Sequence, residues 1–161
     1  MQNTVHKALR AFSFRGVVKA AGLLQQYRNW DIDGEDIKNK LYYDAPYAFA
    51  LRYVDGGYTY GLACVSFKID ANNSLKVVQL QGMRGKKKEL QPIRWEKMFI
   101  DLVGQWAKDN GASKLKVQAA KSNIYEGIRT TRRGKRRYDK TALEMGFLPS
   151  KGKTYYYKSL Q

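Results

Sequence analysis

Residues 75–119 constrain the fold more than any other stretch of the chain. A strand-like segment, LKVVQLQGM, runs through the loop RGKKKEL into an amphipathic helix, and KLKVQA then alternates as a second strand. The helix carries Ile93, Trp95, Met98, Phe99, Leu102, Val103 and Trp106 on one continuous face, with Asn110-Gly111 as its stop. Pro92 falls in its first turn, where a missing N–H has little intrahelical role. Strands joined through a helix of this length form a parallel, right-handed crossover, whereas antiparallel neighbours need only a short turn. The sheet is therefore expected to be mixed.

What precedes this unit reads as antiparallel. Residues 47–54 and 58–69 are rich in β-formers and flank Asp55-Gly56-Gly57, a hairpin signal; residues 70–74 (DANNS) form a second turn into residues 75–83. In that third strand the apolar positions change parity between Val77 and Val78. Either a β-bulge re-aims the backbone there, or the strand is central and buried on both faces.

The N-terminal part reads as helical. Residues 4–27 place Val5, Leu9 and Phe12, then Val17, Val18, Ala21 and Leu24, at helical spacing, with Gly16 between two short helices. Asp33 caps a third helix, with Glu35 and Asp36 in its first turn. Toward the other end, residues 138–145 (YDKTALEM) read as a helix ended by Gly146, and residues 154–160 as a final strand. The order α-α-α-β-β-β-α-β-α-β implies an α/β (mixed α+β) three-layer domain, a central mixed, mostly antiparallel sheet flanked by helices. With 161 residues and no Pro/Ser-rich linker, 1–161 is expected to be a single domain. Residues 1–44 form its helical part, and residues 45–161 carry the sheet, the loop and the C-terminal helix and strand.

Several chemistries are set aside by composition. One cysteine, Cys64, and one histidine, His6, leave no disulfide, no zinc cluster and no histidine triad, so no metal is expected. Cys64 sits in GLACVSF, where a small buried hydrophobe is the simplest reading. The DIDGED stretch fails as a calcium loop, because its glycine comes too early and Tyr42 stands where the bidentate Glu belongs. No apolar run approaches the ~20 residues that span a bilayer, and the N-terminus lacks a secretory core, so a cytoplasmic protein without a membrane partner is expected.

Charge points to an anion. Residues 1–80 hold 10 Lys/Arg and 7 Asp/Glu, while residues 81–161 hold 20 and 7, so nearly all of the +16 lies in the second half. Part of it sits in the loop before the long helix, where Arg84, Lys86, Lys87 and Lys88 surround Gly85. Unpaired N–H groups and the positive end of the helix dipole make such a helix start a phosphate site. A second cluster, IRTTRRGKRRY, places Arg129, Arg132, Arg133, Lys135, Arg136 and Arg137 within nine positions. It reads as a solvated loop, as a binder of phosphate through bidentate arginines, or as a mobile arm for nucleic acid.

This order of elements resembles the GNAT acyltransferase superfamily, whose members transfer an acyl group from acyl-coenzyme A to an amine. The resemblance covers residues 47–161. It is carried by the antiparallel strands leading into VVQLQGMRGKKKEL, by the helix and strand that follow, and by the ending ALEMGF…KTYYYKSL, similar to the family's short helix, Gly-Phe step and last strand. It implies acetyl-coenzyme A or another acyl-coenzyme A as co-substrate, and a small-molecule or protein amine as acceptor. Backbone groups around Leu80, Gln81, Gly82 and Met83 would then face the pantetheine arm. The loop Arg84, Gly85, Lys86, Lys87 and Lys88 would take the pyrophosphate, and Asn123 would contribute to cofactor binding. Against the family's loop pattern Q/R-x-x-G-x-G/A, Arg84 matches the first position, while Lys87 and Glu89 stand at the glycines. Ala142 stands where a tyrosine acid frequently precedes Gly-Phe; Tyr138, one helical turn earlier on the same face, is the substitute candidate, or an aromatic that packs the helix.

The alternative function is nucleic-acid binding on the same scaffold, non-catalytic or toward an RNA or nucleoprotein substrate, through the basic second half. Tyr155, Tyr156 and Tyr157 alternate across the last strand near Lys153 and Lys158. They suit either stacking on bases or packing of an edge strand on a helix.

Overall fold

The computed structural model describes residues 17–21, 44–55, 58–83 and 90–160, and of residues 17–21, 52–55 and 58–61 the backbone alone. Seven strands form one sheet among them: β1 Val17–Ala21, β2 Tyr47–Asp55, β3 Tyr58–Asp70, β4 Ser74–Gly82, β5 Lys114–Gln118, β6 Leu148–Pro149 and β7 Tyr155–Ser159. Their spatial order is β1-β2-β3-β4-β5-β7-β6, and every pairing is antiparallel except β4 with β5. The mixed sheet with a single parallel step follows from the sequence pattern, because α1, Trp95–Asp109, is the crossover between β4 and β5.

Turn chemistry sets the register. Asp55 pairs with Tyr58 across the first hairpin, and Asp70 pairs with Ser74 across the second. Asn72 and Asn73 take positive φ of 60° and 50°, a region that asparagine tolerates better than most side chains. On one face, β2 to β5 and β7 contribute Phe49, Phe67, Leu75, Val77, Leu80, Leu115, Val117 and Tyr156, and α1 lays Phe99, Leu102, Val103 and Trp106 against them. Trp106 meets the Phe67 ring edge-on at 5.3 Å, and Tyr47 stacks on Phe67 at 5.7 Å and lies 5.8 Å from Trp106, so the three rings form one cluster. Each large apolar side chain so buried contributes roughly 1.5–3 kcal/mol. The helix ends where expected: Gly111, at φ 77°, donates to the Lys108 carbonyl and Ala112 to that of Ala107, the paired bonds of a Schellman cap.

Three expectations are corrected. Val17–Ala21 is a strand rather than part of a second helix; it pairs with β2 and supplies the first strand of the sheet. The spacing of VVKAA suits either element, and pairing with β2 decides. The other N-terminal helices, including the one capped by Asp33, lie outside the described residues. The long helix starts at Trp95, so Pro92 and Ile93 belong to the turn before it. Proline disfavours the helical region for the residue before it, and Arg94 at φ 45° breaks the path into the helix. Ile93 still packs against the core.

The third correction concerns the second basic cluster, which is helical and not a loop or arm. Arg129 ends α2, Glu126–Arg129; α3, Arg132–Lys135, runs through the π-helical segment Arg136–Lys140 into α4, Thr141–Glu144. The helix expected over 138–145 therefore begins six residues earlier. Thr131 caps it, its hydroxyl accepting from the Gly134 N–H at 3.1 Å. Gly134 is required there, since a Cβ would run into the Ile128 carbonyl oxygen. Gly146, at φ 78°, ends it, and Phe147 donates back to the Ala142 carbonyl.

Candidate active site

The parity change at Val77 and Val78 is a bulge. Phe67 pairs with Val77 and Ser66 with Gln79, so Val78 is the extra residue on β4. Four residue pairs join β4 to β5, Ser74 with Lys114 through Val77 with Val117, and the two strands part at the bulge. Beyond it, the N–H and C=O groups of β4 that point away from β3 face into the split instead of a neighbouring strand.

The 132–144 helical segment fills that split. Its π turn carries one extra residue, and with it Tyr138 is aimed at the strand. The Leu80 N–H donates to the Tyr138 hydroxyl at 2.8 Å, and Arg137 Nη1 donates to the Leu80 carbonyl at 3.3 Å. The Asn123 side chain lies beside the same hydroxyl. Tyr138 is fully buried, and burial pushes its phenol up to about 12 although Leu80, Arg137 and Asn123 favour the phenolate. Below that pH it keeps its proton, and among the described residues no acceptor takes it. Asp139 anchors the turn from the other side by accepting from the Ala120 N–H at 2.8 Å.

A groove of about 940 Å³ opens at the end of the split, between the start of α1 and the 132–144 segment. Its floor includes Gly82, Met83, Leu90 and Trp95; Arg94, Lys97, Arg133, Arg136, Arg137 and Lys140 line it against two acids, Glu96 and Glu144. A Cβ on Gly82 would sit 3.0 Å from the Trp95 ring, so glycine allows the indole to close on the strand. Lys97 ties the two walls through Glu144 at 2.8 Å and holds that carboxyl below its ordinary range. Arg137 stacks its guanidinium on Trp95 at 5.3 Å, and burial pulls its pKa down. Among the described residues it makes no ion pair with a carboxylate, which leaves a partly buried cation facing an anion-sized space.

The face of the sheet opposite α1 is polar beside Tyr138. Ser66 donates to Gln79 Oε1 at 2.6 Å, the Asp44 N–H donates to the same oxygen at 3.3 Å, and Gln79 Nε2 reaches Gln81 at 3.2 Å. The Tyr125 hydroxyl donates to Asp44 Oδ1 at 2.9 Å; burial and that bond raise the Tyr125 pKa. The Asp44 charge also works against ionisation of Cys64 and Tyr138. Cys64 is buried with its thiol pushed well above the ordinary value, chiefly by desolvation, which removes it as a nucleophile.

Of the residues singled out in the sequence, Leu80, Gly82, Met83, Asn123, Arg137 and Tyr138 come together at the split and its mouth. Gln81 points to the polar face, and the Met83 N–H is taken by the Leu62 carbonyl at 2.8 Å. The helix divides the second basic cluster: Arg133, Arg136 and Arg137 line the groove, while Arg129, Arg132 and Lys135 do not. Arg84, Gly85, Lys86, Lys87 and Lys88 lie outside the described residues. Asp44, Tyr125 and Trp95 were not anticipated as site residues, and only Trp95 carried a signal, its place at the head of the apolar face. Among the described residues no cluster of three or more His, Cys, Asp or Glu could hold a metal ion. No helix among them is long and apolar enough to cross a membrane.

No family model matches the chain, and no curated protein matches it. Among solved structures it is similar to a domain from Methanocaldococcus jannaschii DSM 2661, at 12% identity and a TM-score of 0.46 over 70% of this chain and 66% of that one. It is similar to a chain of the KacTA–DNA complex, at 13% and 0.47 over 71% and 67%. A chain of AtaTR bound with AcCoA gives 12% and 0.46 over 71% and 67%. The chain thus spans about two thirds of the length of the structures it is similar to.

Proposed function

We propose that this chain is an acyl-coenzyme A dependent N-acyltransferase, with acetyl-coenzyme A as the acyl donor and a small-molecule or protein amine as acceptor. One observation carries the reading: a bulged strand leaves its parallel neighbour and turns Leu80 toward a buried tyrosine hydroxyl, at the mouth of a basic groove. The donor supplies a thioester, whose carbonyl is open to attack by an amine.

The residues present suit such a donor. Arg133, Arg136, Arg137 and Lys140 offer charge to its phosphates. Acyl transfer forms a C–N bond and breaks a C–S bond, so the amine must lose a proton and the departing sulfur must gain one. Tyr138 is the proton donor in this reading, held protonated by burial. The Leu80 N–H donates to that hydroxyl at 2.8 Å and fixes its position. Asp44, on the polar face, attracts a cationic acceptor. The loop of Arg84, Lys86, Lys87 and Lys88 belongs to the same phosphate site in this proposal.

Calorimetric titration with acetyl-coenzyme A tests it. Saturable binding is expected, weakened about tenfold or more by Arg133→Ala/Arg136→Ala, together with thiol release on addition of an amine panel. Absence of binding at millimolar donor would overturn the proposal.

A further inference from the structure

A second basic surface lies on the sheet, away from the groove. Cross-strand register sets Lys68 on β3 opposite Lys76 on β4, Lys76 opposite Lys116 on β5, and Lys116 opposite Tyr157 on β7. Strand alternation puts Lys114 and Tyr155 on the same face. Three lysines in a row across three adjacent strands is an arrangement that costs stability, because like charges directly opposite repel. Among the described residues one carboxylate answers them: Asp70, bonded to Lys116 at 2.9 Å. Burial and the neighbouring lysines pull the Lys76 ammonium below its ordinary value, with Asp70 opposing.

Two half-exposed aromatic rings belong to the same face. Tyr155 and Tyr157 meet edge to face at 6.4 Å. Lys76 and Lys116 lie 5.8 and 5.3 Å from the Tyr155 ring, and Lys114 lies 5.3 Å from that of Tyr157. Four ammoniums on flexible stems, interleaved with two rings on a sheet face, match a ligand that alternates anionic groups with flat π surfaces.

We propose that this face binds single-stranded nucleic acid, its lysines taking phosphates and Tyr155 and Tyr157 stacking on bases. Unstacked bases can lie on ring faces, whereas a duplex hides its bases and offers phosphate alone. Lys76 and Lys114 swing off the rings to phosphate as bases arrive, since their stems are flexible, while Lys116 stays paired with Asp70. An acidic lipid surface would answer the charge but not the paired rings. The proposal does not depend on acyl transfer: its residues lie outside the groove lining.

The test is fluorescence anisotropy of a labelled oligouridylate of about fifteen nucleotides, at about 50 and about 200 mM salt. Expected is binding that Lys76→Gln/Lys114→Gln weakens about tenfold, with a salt slope shallower by about 0.7 per lysine removed. Tyr155→Leu/Tyr157→Leu should weaken it about tenfold with the slope unchanged. Lys68→Gln, at an exposed position, guards against misfolding as the cause, and acetyl-coenzyme A titration of the same proteins should match the parent. No binding at the lower salt would overturn the proposal. So would tyrosine variants that bind as the parent does, losses that follow Arg133→Ala/Arg136→Ala instead, or tighter capture by phosphatidylserine vesicles through the same lysines.

Discussion

The Tyr138 hydroxyl accepts the Leu80 N–H at 2.8 Å, across a gap in the sheet that a neighbouring strand would otherwise fill. In a continuous sheet that N–H would belong to the ladder; here the helix supplies its partner. The same contact serves stability and chemistry, which makes the two separable by experiment. Tyr138→Phe leaves the buried Leu80 N–H unpaired and should cost about 1–3 kcal/mol by denaturant unfolding. If Tyr138 is also the proton donor, turnover at saturating donor should fall roughly 10²- to 10⁴-fold with little change in acetyl-coenzyme A affinity. A stability loss with unchanged turnover would reduce it to a packing residue.

Much of this arrangement was legible in the sequence. The turns at 55–57 and 70–74 and the alternation around them specify three antiparallel strands, and the slip at Val77 and Val78 leaves a bulge and a strand buried on both faces as alternatives that only the pairing with β3 separates. The apolar face of α1 and its Gly111 stop can be read directly. Less accessible was the aim of Tyr138, because a π turn is a single-residue insertion that periodicity does not encode. The start of that helix at Arg132 was hidden by its composition: six cations and a glycine resemble a loop until Thr131 is recognised as the cap. Asp44 reaches the site through the chain's path into β2 and carries no motif.

Gly134 shows how the basic helix depends on backbone contact. With a Cβ there, the side chain would overlap the Ile128 carbonyl, so α2 and α3 would have to separate. Gly134→Ala should destabilise the protein by more than about 1 kcal/mol, opposite in sign to the gain alanine gives at an ordinary helical glycine. Midpoint shifts in urea provide the measurement, and a stabilised variant would refute the packing described.

Arg137 holds three contacts that lysine cannot reproduce together: the Leu80 carbonyl, the Trp95 ring and the open groove. Its planar fork donates in one direction while its face stacks in another. Arg137→Lys is expected to weaken acetyl-coenzyme A at least tenfold despite conserving charge, and Trp95→Leu to weaken it further by releasing the guanidinium. Calorimetry of the two variants against the parent decides, and full affinity in Arg137→Lys would show that charge alone suffices.

The titration of Tyr138 makes a stability prediction with a defined sign. Its phenol is raised from 10.0 to about 12, so the folded state favours the protonated form. Between those values the native protein binds more protons than the unfolded chain, and stability falls as pH rises. The contribution is complete below pH 10 and lost by about pH 12; two units correspond to roughly 3 kcal/mol. Tyr125 and Tyr156, also raised, add slopes of the same sign, so the parent must be compared with Tyr138→Phe. Urea unfolding across pH 9 to 12 should give a steeper decline in the parent than in the variant. Parallel declines would mean that the phenol is no harder to ionise in the folded protein than in the unfolded chain, and its role as a proton donor held in reserve would fail with it.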